Sequence, residues 1–378
     1  MTILIVDDNQ VNRYVMEQIL KDAHYENIIS LESAQALFEF LDSRNKYQLN
    51  DISVILLDIM MPSIDGIEAC QVIKKDPNFK DIPIIFVSAL EDKQKLSEAL
   101  DIGGSDYITK PINRVEILAR IRVAIRLKEE LDRQKNQRKK FQNELNLASR
   151  VQRSLLTPNI IRQNIAITSS YLPSTNLAGD MYYWNQIDEY RYSVMILDMM
   201  GHGISASLVC MYIYSVLQEA VEKLKCPELV ITELNRYMNI LESEEENIFY
   251  YFTGIYLIID TKNKIIEYVN AGHPSGYALV DEKETVEITQ TTSAVGFVKN
   301  MDINKGFIRY DSNIQLVLYT DGVLEALGDC EFESEEKIKK AASKTWSHKE
   351  QPIEYLINPQ LFKKHSDDMC ILLIQAKA

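Results

Sequence analysis

Thr2-Ile3-Leu4-Ile5-Val6-Asp7-Asp8 is an apolar run that ends on two adjacent acids. The same design returns at Val54-Ile55-Leu56-Leu57-Asp58 and at Ile82 to Val87, which Ser88 follows. Runs that are apolar at every position belong to strands covered on both faces, as in a parallel sheet with helices on either side. The amphipathic, helix-type segments between the runs supply those helices. In such sheets the polar residues at the carboxyl ends of strands converge on one crevice. Asp7, Asp8, Asp58, Ser88 and Lys110 all hold that position.

Three carboxylates at neighbouring strand ends repel one another unless a divalent cation lies among them, and all-oxygen ligation of this kind suits magnesium. Lys110 and Ser88, at the ends of later strands, could contact the oxygens of a phosphoryl group carried on an Asp nucleophile. Pro111 makes a cis Lys110-Pro111 bond accessible.

With these residues in place, positions 1 to about 125 resemble a response-regulator receiver domain. The matching text is Ile-Val-Asp7-Asp8-Asn, Leu-Leu-Asp58-Ile-Met-Met-Pro62, Val-Ser88-Ala89 and Tyr107-Ile-Thr-Lys110-Pro111. The resemblance implies a flavodoxin-like, five-stranded doubly wound parallel sheet. It implies that Asp58 accepts a phosphoryl group from a histidine kinase. Asp8, Asp58 and the Met60 carbonyl would bind one Mg2+, Asp7 would assist through water, and Ser88 and Tyr107 would form a switch pair beside Lys110. The plainer alternative is a receiver fold kept only for binding.

From about Ile117 to Leu156 the chain has no Gly and no Pro and is dense in Lys, Arg, Glu, Gln and Leu, which predicts one long helix. Stepping by four and three from 127 to 155 meets Leu127, Leu131, Phe141, Leu145, Ala148 and Leu155, with Gln134, Arg138 and Gln152 as polar exceptions. This imperfect heptad seam fits a weak parallel coiled coil, hence a homodimer through the linker, or equally a helix packing on its own domains.

After Pro158 the texture changes to β-type runs at Tyr192 to Leu197, Thr253 to Ile259, Ile265 to Val269 and Ile314 to Tyr319. Helical patterns lie near Ser205 to Leu224 and Glu228 to Leu241, which predicts an α+β sandwich. Acids recur beside small residues: Ala178-Gly179-Asp180, Asp198-Met199-Met200-Gly201-His202-Gly203, Thr320-Asp321-Gly322 and Ser366-Asp367-Asp368. Glycine beside an acid lets backbone and ligand approach closely. Four separated carboxylates can hold two divalent cations about 3.5–4 Å apart, which bind a bridging water and aim it at phosphorus.

These motifs, with Val151-Gln-Arg-Ser-Leu-Leu156 and Asn270-Ala-Gly-His273-Pro, resemble PP2C-type serine/threonine phosphatases of the bacterial branch that regulates sporulation and stress sigma factors. The resemblance implies a β-sandwich flanked by helices. It implies that Asp198 bridges two Mn2+ or Mg2+ ions, that Asp180, Asp321 and Asp367 complete the carboxylate set, and that the Met199 carbonyl coordinates. The substrate it implies is a phosphorylated anti-sigma-factor antagonist, whose dephosphorylation promotes release of a stress-response sigma factor. Four positions depart from the family pattern: Ala178, Tyr183 where an acid is common, Met199 and Cys370. His202 and His273 are read as hydrogen-bonding or packing residues.

The expected organisation is therefore a receiver at 1–125, a helical linker at 126–156 and a phosphatase domain at 157–378. The 46% of hydrophobic residues supply real cores. A net charge of −14 disfavours nucleic acid and anionic membranes as partners. Five scattered cysteines without CxxC spacing argue against disulfides and zinc, and a start without a basic, apolar leader argues for the cytoplasm. A non-catalytic receiver-linked scaffold is the alternative, and intact Asp180, Asp198, Asp321 and Asp367 count against it.

Overall fold

A computed structural model describes residues 1–43, 51–89, 93–241, 249–328, 330–346, 352–356 and 367–377; Ser366 lies outside them. The chain divides into two compact units, Met1–Phe141 and Gln142–Ala378.

In the first unit, β1 (Thr2–Val6), β2 (Ile28–Leu31), β3 (Ile52–Asp58), β4 (Ile84–Ser88) and β5 (Asp106–Thr109) form one sheet of order β2-β1-β3-β4-β5. Every neighbouring pair is parallel, the doubly wound order expected for a flavodoxin-like sheet. Pro83 has no N–H for a ladder, so β4 begins two residues later than its apolar run. Leu4, Val6, Ile55 and Leu57 pack with Leu37 and Leu41 of α2 (Ala34–Asp42) and with Ala69 and Ile73 of α3 (Gly66–Lys75). Leu96 and Ala99 of α4 (Lys93–Asp101) join the same cluster. The opposite face, Ile3, Ile5, Val54 and Leu56, packs on Met16 and Leu20 of α1 (Gln10–Asp22) and on Ile117 and Ile121 of α5 (Arg114–Leu155). Each of these buried aliphatic side chains stabilises the fold by roughly 1.5–3 kcal/mol of transfer free energy.

Helix α5 is 42 residues long, continuous and without a break at the unit boundary. Of the predicted seam, Leu127 and Phe141 are exposed, whereas the polar exception Gln152 is buried.

The second unit holds two antiparallel sheets. One runs β14-β11-β10-β9-β8, from β8 (Met181–Gln186), β9 (Arg191–Met199), β10 (Phe252–Asp260), β11 (Ile265–Ala271) and β14 (Gly306–Arg309). The other runs β13-β12-β15-β16-β7-β6, from β6 (Ile160–Ile161), β7 (Ile165–Leu172), β12 (Gly276–Val280), β13 (Glu284–Ile288), β15 (Asn313–Tyr319) and β16 (Met369–Lys377). Their inner faces meet through Val194, Ile196, Leu257, Leu316, Leu318, Leu372 and Ile374. Met195, Leu197 and Met199 point the other way, under α6 (Ile204–Leu224) and α7 (Pro227–Ile240). The outer face of the second sheet, with Val317, Tyr319, Ile371 and Leu373, is covered by α8 (Asp321–Leu327), α9 (Glu331–Ala342) and α10 (Pro352–Leu356). The result is the expected sandwich flanked by helices. By length and hydropathy α6 would pass for a membrane span. Its Cys210, Ile213, Leu217 and Val221 are buried against the sheet, which is the place of a core helix.

Strand parity positions the acids. Side chains alternate between faces, so the inward series Val194, Ile196 continues to Asp198, and Leu316, Leu318 continues to Thr320. Read backwards, Cys370 leads to Asp368 and Tyr182 leads to Asp180. Four strand ends thus deliver polar groups to one end of the inter-sheet core.

Candidate phosphoacceptor and metal sites

In the first unit the strand order reverses between β1 and β3, and there Asp7, Asp8 and Asp58 bring carboxylate oxygens mutually within 4.8 Å. Lys110 Nζ donates to Asp7 Oδ2 and to Asp58 Oδ2, both at 2.9 Å. Asp7 also accepts the Asn9 amide at 2.9 Å, and Arg13 donates to the Asp7 and Asp8 carbonyls. Burial, opposed by Lys110 and reinforced by the Asp7 charge, lifts Asp58 above the ordinary carboxylate range. Burial disfavours the Lys110 ammonium, but its bonds to Asp7 and Asp58 outweigh that and raise it. One ammonium among three carboxylates leaves excess negative charge, so the donor set fits a hard divalent cation.

Gly66 makes this corner possible: a Cβ there would lie 2.1 Å from the Asp58 carbonyl oxygen. The Met60 amide faces Asp58 Oδ1 at 3.5 Å while the Met60 side chain is exposed. Ser88 is buried at the end of β4, and the Lys110 amide donates to its carbonyl at 2.8 Å. The Lys110-Pro111 bond is cis. Tyr107 pairs with Phe86, one pleat before Ser88, and its ring lies under the Arg120 guanidinium, 5.7 Å from the centroid.

In the second unit Asp180, Asp198, Asp321 and Asp367 come together. Asp198 is influenced by Asp180, Asp321 and Asp367, and Asp321 by Asp367 and Asp198. Among the described residues no three of them are as mutually close as the receiver trio. Complete burial, then the Asp198 charge, pushes Asp180 well above the carboxylate range. Burial and the Asp321 charge push Asp198 up to about 8, and burial with Asp367 raises Asp321. No Lys or Arg pairs with any of the four among the described residues. Crowded acids without a cationic partner are a donor set that fits divalent metal.

Neighbouring groups hold these acids in place. Thr320 Oγ1 donates to Asp180 Oδ2 at 2.6 Å and accepts the Cys370 amide at 2.9 Å. Asp368 accepts from Ser174 N and Oγ and from Gly179 N, at 2.7, 2.9 and 2.8 Å, and donates its own amide to Asp367 Oδ1 at 2.7 Å. A Cβ on Gly322 would sit 2.0 Å from the Asp368 carbonyl oxygen, so only glycine fits beside Asp321. Asp368 therefore braces the site, although its sequence neighbour Asp367 has the more obvious role. The signal for it was the doubled acid. Thr320 was visible only as part of Thr320-Asp321-Gly322.

The departures occupy the core. Tyr183 packs edge-on to Tyr214 at 5.5 Å, the Met199 side chain lies under α6, and Cys370 fills the inter-sheet layer. His202 is exposed. His273 is buried, its Nδ1 2.8 Å from Thr253 Oγ1, and burial lowers its pKa to about 3, so it is neutral. Thr253 faces Asp198 across the β9–β10 ladder.

The model of the response regulator receiver domain matches residues 3–122. The model of Stage II sporulation protein E (SpoIIE), a PP2C-type domain, matches residues 188–377, half of the chain. The phosphoserine phosphatase RsbP of Bacillus subtilis is 34% identical over 234 residues, 62% of this chain and 58% of RsbP. The response regulator PleD of Caulobacter vibrioides is 36% identical over 130 residues, 34% of this chain and 27% of PleD. The chain thus spans under two thirds of the length of either relative. Among solved structures, the SiaA-PP2C domain of Pseudomonas aeruginosa superposes with a TM-score of 0.50 at 18% identity, over 64% of this chain and 98% of that one, a likeness of fold. This chain belongs to the Stage II sporulation protein E family, with a response-regulator receiver domain preceding its PP2C-type domain.

Proposed function

We propose that the chain is a metal-dependent protein serine/threonine phosphatase governed by phosphorylation of Asp58. The observation that carries this reading is the crowding of Asp180, Asp198, Asp321 and Asp367 at one end of the sandwich, with no Lys or Arg paired to them among the described residues. These acids and the Met199 carbonyl would hold two Mn2+ or Mg2+ ions, which when bound supply an activated water and neutralise charge at phosphorus. Asp198 would contribute its carboxylate from among the other acids, Thr320 would orient Asp180, and Asp368 would orient Asp367 and the Gly179 amide. In the receiver, Asp8, Asp58 and the Met60 carbonyl would hold Mg2+ with help from Asp7. Asp58 is the acceptor, Lys110 neutralises the incoming phosphoryl group, and Ser88 and Tyr107 are the switch pair.

The substrate class we assign is a phosphoserine or phosphothreonine on an anti-sigma-factor antagonist, and the phosphodonor a histidine kinase. The RsbP likeness supports the first and the receiver the second. Residues 1–125 act as receiver, 126–156 as linker and 157–378 as phosphatase, in a cytoplasmic homodimer joined through α5. Receiver phosphorylation can act on the second site only by favouring one of two helix arrangements. Turnover of a phosphoserine protein with Mn2+, for wild type and Asp58→Ala, each with and without acetyl phosphate, tests both halves. No Mn2+-dependent hydrolysis refutes the enzyme, and four equal rates refute the control.

A further inference from the structure

We infer that Gln152 is the positioning residue through which helix α5 sets the Asp180 end of the metal site. This rests on the metal-phosphatase reading above. Gln152 is 1% exposed. Its Nε2 donates to the Ala178 carbonyl at 2.7 Å and its Oε1 accepts the Ala178 amide at 3.1 Å. The side-chain amide thus pairs with both backbone groups of one residue, as a neighbouring strand would. Among uncharged side chains only Gln or Asn can do this, since the pairing needs one donor and one acceptor on a planar group.

The partners are buried, so leaving either unpaired costs stability. Helix and loop are therefore tied: α5 cannot rotate or slide at Gln152 without dragging Ala178 or breaking both bonds. Ala178 is two residues from Asp180, and the residue between them is pinned from elsewhere. The Gly179 amide donates to Asp368 Oδ2 at 2.8 Å, and a Cβ at Gly179 would lie 3.1 Å from the Met199 carbonyl oxygen. Gly179 therefore lies close to the very carbonyl assigned to coordination. The Gly179 anchor, Asp368, lies just before β16 of the sandwich; the Ala178 anchor belongs to the helix that also packs Ile117 and Ile121 into the receiver core. Leu155 and Leu156, just beyond, pack into the phosphatase cores, while Val151 is exposed. Gln152 thus sits where the helix turns from solvent to core, and it is polar within the seam because its partner is a backbone.

Calorimetric titration of the full chain with Mn2+, with amide hydrogen exchange at Ala178 and Gly179, tests this for wild type, Gln152→Leu and Gln152→Glu. Gln152→Leu keeps the size and removes both bonds. The expected results are Mn2+ affinity about 10-fold weaker, faster exchange at Ala178, and a kcat that recovers at saturating Mn2+ with the substrate KM unchanged. Gln152→Glu turns a carboxylate oxygen on the Ala178 carbonyl and should bind Mn2+ no more tightly than Gln152→Leu. If Gln152→Leu also loses protection throughout β9 and β10, the same comparison is made on Gln152→Glu. Wild-type Mn2+ binding with a variant affinity within about twofold and unchanged Ala178 exchange overturns the inference alone. A wild type that binds no Mn2+ overturns the metal reading, and the inference with it.

Discussion

Replacing Thr320 by Val isolates one buried hydroxyl. Thr320 is fully buried between Asp180 and the Cys370 amide, donating to the first at 2.6 Å and accepting from the second at 2.9 Å. Valine has nearly the same shape, so no cavity opens and the packing of β15 on β16 survives. The cost then has two parts. The Cys370 N–H is stranded without an acceptor, about 1–3 kcal/mol, and Asp180 loses a donor, another 1–2 kcal/mol or so. Asp180, already raised by burial and Asp198, moves further up, because the Thr320 bond favours its charged form. The expected loss is about 2–5 kcal/mol for the second unit, confined to that unit. Urea unfolding of the full chain, followed separately in the two units because a single two-state transition is not expected, should lower the second midpoint by roughly 1 M or more. Thr320→Ser keeps the hydroxyl and should recover most of the loss. A Thr320→Val change under about 0.5 kcal/mol, or a serine variant as damaged as the valine one, would refute the hydroxyl's role and assign the site to the methyl group's packing.

Gly66→Ala places a methyl 2.1 Å from the Asp58 carbonyl oxygen, against backbone that cannot yield. It should destabilise the receiver by about 1–3 kcal/mol or more and slow labelling of Asp58 by acetyl phosphate; a normal receiver midpoint in urea would count against it. Asp198→Asn removes a carboxyl that burial and Asp321 make costly to ionise, so the metal-free chain should melt higher while Mn2+ no longer raises its melting temperature. Calorimetry in EDTA and in Mn2+ checks both signs, and a lower metal-free melting temperature contradicts the crowding. For His273, burial lowers the folded pKa to about 3 from an ordinary value of 6.5. The unfolded chain therefore binds the extra proton between these values, and stability is present above pH 6.5 and lost as pH falls. Wild type should lose about 1.4 kcal/mol per pH unit below that point from this residue, and His273→Gln should lack that increment. Parallel pH-dependent unfolding slopes in the two proteins would show that His273 does not make it.

The first unit was legible because its central strands β1, β3 and β4 are buried and read as apolar runs ending on Asp7, Asp58 and Ser88, whereas the half-exposed β2 and β5 carry no such run. Local text there carries the topology, and the chemistry sits at predictable strand ends. In the second unit the runs at Tyr192, Thr253, Ile265 and Ile314 were placed within two residues at either end. The order of the sheets was not legible, because antiparallel pairing joins residues such as Ser169 and Leu372, which lie far apart along the chain.

Sequence by itself marked the acids, Asp58 by its place at the end of an apolar run and Asp180, Asp198, Asp321 and Asp367 by the small residues near them. It also determined the long helix, through a stretch without Gly or Pro. Tertiary structure alone decided which groups hold those acids. Asp368 looked like a duplicate of Asp367 and is a brace for Ser174 and Gly179. Gln152 looked like a flaw in a seam and is the clasp on Ala178. The physical reason is that metal-binding chemistry demands particular side chains, whereas a buried backbone group accepts any amide, hydroxyl or carboxylate that the fold brings within reach.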